Sequence, residues 1–161
     1  MTDAIFRRTA KYWNEWAYQS IKLVRDSSNG EDNVRLRSKY ILLSYALELI
    51  AKARLIAVSD ITEEDLIKNY RHDILKILKE LKSRGELEKI GIKSLPKKVK
   101  NYIYSIETTD GGKVFYFHDF TNIRYYPKQV KDSWDTEEVV KNTTKIMLDI
   151  ADKVRNLWKG V

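Results

Sequence analysis

Residues 40–57 read YILLSYALELIAKARLIA, a run in which only Glu48, Lys52 and Arg54 carry charge. Apolar residues fall on more than one side of a 3.6-residue period, the pattern of the most buried helix in a bundle. Small residues at Ser44, Ala46, Ala51, Ala53 and Ala57 let neighbouring helices approach closely. The three charges interrupt the run too often for a membrane span. The spacing predicts a helix over about 34–58, and the flanking sequence supplies its neighbours.

Upstream, residues 3–27 read as a helix with Ile5, Trp13, Trp16, Ser20, Leu23 and Val24 on the inner side and Arg7, Arg8, Lys11, Glu15 and Lys22 on the other. Ser27-Ser28-Asn29-Gly30 stops it. Downstream, Asp60 or Thr62 caps a short turn through Glu63-Glu64-Asp65, and Asp73 caps a helix with Ile74, Leu75, Ile77, Leu78 and Leu81 inward, ending at Gly85. A last helix starts near Ser133 or Asp135 and turns Val139, Val140, Ile146, Met147, Ile150, Val154 and Leu157 inward. Between them, NYIYSIETTDGGKVFYFHDF alternates apolar and polar residues on both sides of Asp110-Gly111-Gly112, a strong hairpin signal. Strands are expected near 102–108 and 113–118, with Tyr102, Tyr104, Phe115 and Phe117 packed on the helices. The expectation is a mainly α fold: a bundle of four to five helices with a β-hairpin inserted before the last long helix. Residues 1–161 form one domain, the hairpin insertion lying at about 100–120.

The 161 residues include no cysteine and two histidines, His72 and His118. Thiolate metal sites, redox pairs and a cysteine nucleophile are therefore excluded, and an imidazole-rich metal centre has little to draw on. No metal or cofactor is expected. The charged, aromatic N-terminus does not read as a secretory signal, so the chain is expected to be soluble and cytoplasmic, with no membrane partner.

Lys and Arg exceed Asp and Glu by seven. Five of those net charges lie between Lys82 and Asn101, where Lys82, Arg84, Lys89, Lys93, Lys97, Lys98 and Lys100 face only Glu86 and Glu88. The run leads into a segment rich in tyrosine: Tyr102, Tyr104, Tyr116, Tyr125 and Tyr126. Cations beside flat rings suit single-stranded nucleic acid, which needs phosphate neutralisation and a stacking surface. A solvated lysine face beside core tyrosines fits the pattern equally. The candidate nucleic-acid contacts are Lys93, Lys97, Lys98, Lys100, Lys113, Arg124 and Tyr125.

Arg71-His72 pairs a guanidinium, which binds phosphate oxygens as a fork, with an imidazole able to move a proton near neutral pH. On a helix the two side chains diverge by about 100°, whereas in an extended turn before Asp73 they converge. His118-Asp119 with Arg124 is a second constellation, with an ordinary loop after the hairpin as the plainer reading. Tyr12, Trp13, Trp16 and Tyr18 read as core or interface in preference to a ligand cage. Glu63, Glu64 and Asp65 read as a helix N-terminus, not a metal site.

The order of these features resembles the HEPN domains, helical bundles associated with nucleotides and RNA. The run Ala46–Ala57, A-L-E-L-x-x-K-A-x-L-I-A, is similar to that family's second-helix pattern. Arg71-His72-Asp73-Ile74 resembles its Gly-His-Asp-Leu signature with Arg in place of Gly, and Arg124-Tyr125 with Pro127 resembles its Arg-Tyr-Pro segment with one extra Tyr. The resemblance covers roughly 10–85 and 120–158. It implies RNA or nucleotide binding, metal-independent endoribonuclease chemistry of a toxin–antitoxin or phage-defence system, and a homodimer. Ribonuclease members carry Arg followed four to six residues later by His; here Lys68 precedes His72 by four and Arg71 adjoins it, so that spacing is absent. The sequence leaves open whether the chain is an enzyme. Two function classes stand: an RNA-binding protein (RNA before DNA) with Arg71 and His72 as catalytic candidates, and a non-enzymatic dimerising module of a phage, plasmid or archaeal system whose hairpin pairs with a protein partner.

Overall fold

A computed structural model of the chain describes residues 3–27, 33–100, 102–119 and 136–158. Helices α1 (Asp3–Asp26), α2 (Asn33–Val58), α3 (Glu63–Asp65), α4 (Ile74–Ser83) and α5 (Glu137–Trp158) carry a three-stranded antiparallel sheet between α4 and α5. Among the described residues no helix is long and apolar enough to cross a membrane.

Helix α2 is the centre. Leu43, Ser44, Leu47, Ile50, Ala51, Leu55 and Ile56 are essentially inaccessible because α1, α4 and α5 pack around them. Truncating one of the buried Leu or Ile side chains to Ala costs about 2–5 kcal/mol. Polar contacts fix the arrangement. Lys39 Nζ lies 2.6 Å from Glu137 Oε1, tying α2 to α5. Arg155 forks onto Glu15 at 2.6 and 2.9 Å, tying α5 to α1, and covers the Tyr18 ring. Arg7 donates to the carbonyls of Ile56 and Ser59, satisfying acceptors left over at the end of α2. Arg54 reaches from α2 to Glu86 at 2.7 and 3.1 Å in a buried pair. Burial pushes the Glu86 carboxyl upward, but the bonds from Arg54 and Lys89 outweigh it and hold the group below its ordinary value.

Helix α1 buries a face that only partly matches the one expected: Val24 is buried and Trp13 half-buried against the core as read. Phe6, Ala10, Asn14, Ala17, Ile21 and Val24 point inward, whereas Ile5, Trp16 and Leu23 are more than half exposed. Ala10 and Ala17 stand in the middle of that row, where α1 packs on α2, and Asn14 donates to the Ala151 carbonyl of α5 at 3.0 Å. A bulky Trp16 on that row would hold the helices apart.

Both expected caps form. Thr62 and Asp65 satisfy each other's backbone N–H groups, and Asp73 accepts from the Lys76 N–H. Helix α5 begins at Glu137, where the Thr136 hydroxyl accepts from Val139 N–H. The proposed starts at Ser133 and Asp135 lie outside the described residues, as do Arg124 and Tyr125.

The expected hairpin is β2 (Ile103–Glu107) and β3 (Val114–His118), with Tyr104 opposite Phe117 and Ile106 opposite Phe115. Gly111 and Gly112 take φ of 67° and 69° in its turn, a region L side chains avoid. The sheet also has a strand the sequence did not suggest. β1 (Lys97–Lys100) pairs with β2, and all four of its residues are exposed. A lysine-rich edge strand shows no alternation, and its charges discourage further pairing. Tyr102 precedes β2 and is buried, and β3 packs on α2 and α5.

Candidate functional site

The segment from Thr62 to Asp73 shapes the site. After α3 the chain widens into a π-helical turn, Leu66–Tyr70, closed by Arg71 N–H on the Leu66 carbonyl at 2.8 Å. Such turns concentrate at functional sites. The Asp73 N–H then donates to the Tyr70 carbonyl at 2.9 Å, making Tyr70–Asp73 a β-turn. Arg71 sits at its first central position with φ 46° and ψ −119°, close to the type II′ geometry that glycine normally occupies. It is the one non-glycine residue at positive φ among those described.

The turn does what a helix cannot: Arg71 and His72 both line the same two cavities. The first is a groove of about 590 Å³ between α1, α2 and the π turn. Its walls are Phe6, Trp13, Trp16, Tyr45, Leu49, Leu66 and Ile67, and its polar groups are Glu48, Lys52, Glu63, Arg71 and His72. The second, of about 530 Å³, adds Asp73, Tyr104, Phe117 and Asp119 from the other side of the turn.

Glu48 is the group that sequence reasoning passed over. Its side chain is 4% exposed, yet His72 Nδ1 lies 3.0 Å from Oε1 and Lys52 Nζ 3.2 Å from Oε2. A buried carboxylate is sustainable because both oxygens are engaged. An ionised carboxylate only accepts, so in this contact Nδ1 of His72 carries the hydrogen. The imidazole is itself 58% exposed. An oriented, accessible histidine beside a guanidinium can move a proton at an anionic substrate. The signal for Glu48 was its charge in an otherwise apolar helix, but its partner is 24 residues away.

The lysine run does not act as one surface. Lys98 pairs with Tyr104, so the two side chains stand on one sheet face, and Tyr104 lines the second cavity with His72. Burial raises the Tyr104 phenol, and the Asp119 and Asp73 carboxylates raise it further, keeping it a neutral donor. Lys97 stands opposite Ser105 and Lys100 opposite Ile103, whose residues alternate to the other face, with a register shift between Lys98 and Lys100. Lys93 bonds Glu107 at 3.2 Å and Lys113 faces Asp110 at 3.6 Å, both at the hairpin-turn end of the sheet. The His118-Asp119 pair does not form an open centre: His118 is 1% exposed, stacked on Tyr40 at 3.8 Å. Trp16, expected in the core or an interface, is half-exposed on the groove wall.

Among the described residues no group of three His or carboxylate side chains is placed to hold a metal. Comparison with protein-family models, with curated proteins and with solved structures finds no match to this chain.

Proposed function

We propose that the chain is a HEPN-like RNA-binding protein that cleaves RNA at Arg71 and His72 without a metal ion, as a ribonuclease of a toxin–antitoxin or phage-defence system would. The observation that carries this reading is the Tyr70–Asp73 turn, which brings a guanidinium and an imidazole oriented by Glu48 to one pair of cavities. Trp13, Trp16 and Tyr45 offer bases flat apolar surface, and Lys98 with Tyr104 extends the path across the sheet.

In this mechanism Nε2 of His72 removes the proton of a ribose 2′-hydroxyl. The 2′-oxygen attacks phosphorus, and the bond to the 5′-oxygen breaks as that oxygen takes a proton from solvent. The products are a 2′,3′-cyclic phosphate and a 5′-hydroxyl. Arg71 neutralises the charge that builds on the phosphorane oxygens. Glu48 holds the imidazole tautomer and stabilises the imidazolium that forms.

Binding is tested by filter titration of single-stranded RNA against salt. The affinity falls as salt rises, and Arg71→Ala or Lys98→Ala lowers the log–log slope by about 1 each. An affinity indifferent to salt sinks the proposal. The second reading, a non-enzymatic dimerising module, draws on the exposed apolar stripe of α1. Recovery of one specific protein and no nucleic acid from the native host favours it.

A further inference from the structure

Cleavage of RNA needs two proton transfers, and Arg71 with His72 serves only one of them. The 2′-oxygen gives its proton to the imidazole. The 5′-oxygen leaves as a poor alkoxide unless a proton reaches it while its bond to phosphorus breaks. Attacking and departing oxygens stand roughly in line through phosphorus, so a donor for the second has to face His72 from across the substrate.

The second cavity is built that way. Arg71, His72 and Asp73 line it from the Tyr70–Asp73 turn, while Tyr104, Phe117 and Asp119 line it from β2, β3 and the residue after β3. At about 530 Å³ it falls in the size range of small-ligand sites. Its lining narrows the choice of donor. A guanidinium such as Arg71 keeps its protons. His72 is held by Glu48 and serves as the base. Asp73 and Asp119 are carboxylates, which accept. Ile74, Leu75 and Phe117 are hydrocarbon. Among the described residues lining the cavity, Tyr104 alone carries a proton that it can give up.

The Tyr104 ring is fixed, but its hydroxyl is not used by the fold. It stands opposite Phe117 in the sheet and stacks on that ring, with centroids 5.3 Å apart and planes 15° from parallel. The residue is half-buried, yet among the described residues none hydrogen-bonds its hydroxyl. A buried phenol normally has a partner for that group. Burial raises the phenol above its ordinary value, and the Asp119 and Asp73 carboxylates raise it further, so it is protonated at neutral pH. It is still a stronger acid than the ribose hydroxyl that cleavage forms, so the transfer runs downhill.

On the RNA reading, which it presupposes, we propose that Tyr104 is the general acid of the cleavage: its hydroxyl gives a proton to the 5′-oxygen as the bond between that oxygen and phosphorus breaks. The phenolate then takes a proton from solvent, and the imidazolium of His72 releases one to solvent, which returns both groups to their starting forms. The solvent proton thus reaches the leaving group through Tyr104.

Replacing the 5′-oxygen of one linkage with sulfur tests this, because a thiolate leaves without being protonated. Positioned acids contribute about 10²–10⁴-fold, so wild type cuts the oxygen and sulfur substrates at rates within about tenfold of each other. Tyr104→Phe keeps the ring and the wild-type circular dichroism. It cuts the oxygen substrate about 10²–10⁴-fold more slowly and the sulfur substrate at the wild-type rate. Equal losses on both substrates, or no loss on either, overturn the assignment of Tyr104 and leave the RNA reading standing. Wild type that cuts the sulfur substrate more than about 100-fold faster than the oxygen substrate has no acid at work, which overturns the assignment without any variant. Wild type that cuts neither substrate sinks the RNA reading itself, and the role of Tyr104 falls with it.

Discussion

Arg71 occupies a backbone conformation that an L side chain resists, so replacing it with glycine is expected to stabilise the fold while removing the cation proposed to bind phosphate. A non-glycine residue in such a region costs on the order of 1–3 kcal/mol. The turn is held in that shape by the Leu66 carbonyl on one side and the Tyr70–Asp73 hydrogen bond on the other, so the cost is not relaxed away. Glycine recovers it but brings back roughly 0.5–1 kcal/mol of unfolded-chain entropy. The net gain is about 1 kcal/mol, which for a chain of this size raises Tm by about 2–4 °C. Arg71→Ala is the control: it removes the same exposed guanidinium and keeps the strain, and so leaves Tm close to wild type. Thermal unfolding of the three proteins by circular dichroism reads the difference. An Arg71→Gly protein that melts at or below Arg71→Ala refutes the strain argument, whatever either variant does to RNA. Both variants are expected to lose RNA affinity together, the trade of stability against activity common to strained sites.

Three further outcomes follow from the same geometry. Glu48→Gln keeps the shape but presents an amide to His72 Nδ1, which reverses the tautomer; RNA cleavage falls by about 10²–10⁴-fold with Tm little changed. Glu86→Ala strands Arg54 in the interior and costs about 3–5 kcal/mol in urea unfolding, whereas replacing both residues with apolar ones costs far less. The Glu86 carboxyl is held low by Arg54 and Lys89, so its contribution is present above the unfolded-state carboxylate pKa and is lost as pH falls through the lower folded value. The stability of wild type therefore drops on acidification below about pH 4.5, while Glu86→Gln shows a flatter profile over that range.

The architecture was legible where a pattern and its cause coincide. The apolar run 40–57 became the central helix, Asp110-Gly111-Gly112 became the hairpin turn, and Thr62 and Asp73 became caps. It was misread where one helix carries two apolar rows. In α1, the exposed row of Ile5, Trp16 and Leu23 outweighed the row that is buried, Phe6, Ala10, Asn14, Ala17, Ile21 and Val24, because alanine and asparagine at its centre give little apolar signal. β1 left no trace because side chains on an exposed edge strand need no alternation. At the site, Arg71 and His72 were legible as residue types, and their convergence in a turn before Asp73 was one of two stated alternatives. Glu48 was not, because the contact that orients His72 joins α2 to a turn 24 residues further along the chain. The positive φ of Arg71 marks a turn position where glycine is the unstrained residue.

The most direct measurement is product analysis of a uniform single-stranded RNA incubated with the chain in excess chelator. The account predicts fragments ending in 2′,3′-cyclic phosphate, no cleavage of the 2′-deoxy analogue, and a loss of at least about 100-fold with His72→Ala. Intact RNA with wild type, or equal cleavage by wild type and His72→Ala, contradicts it.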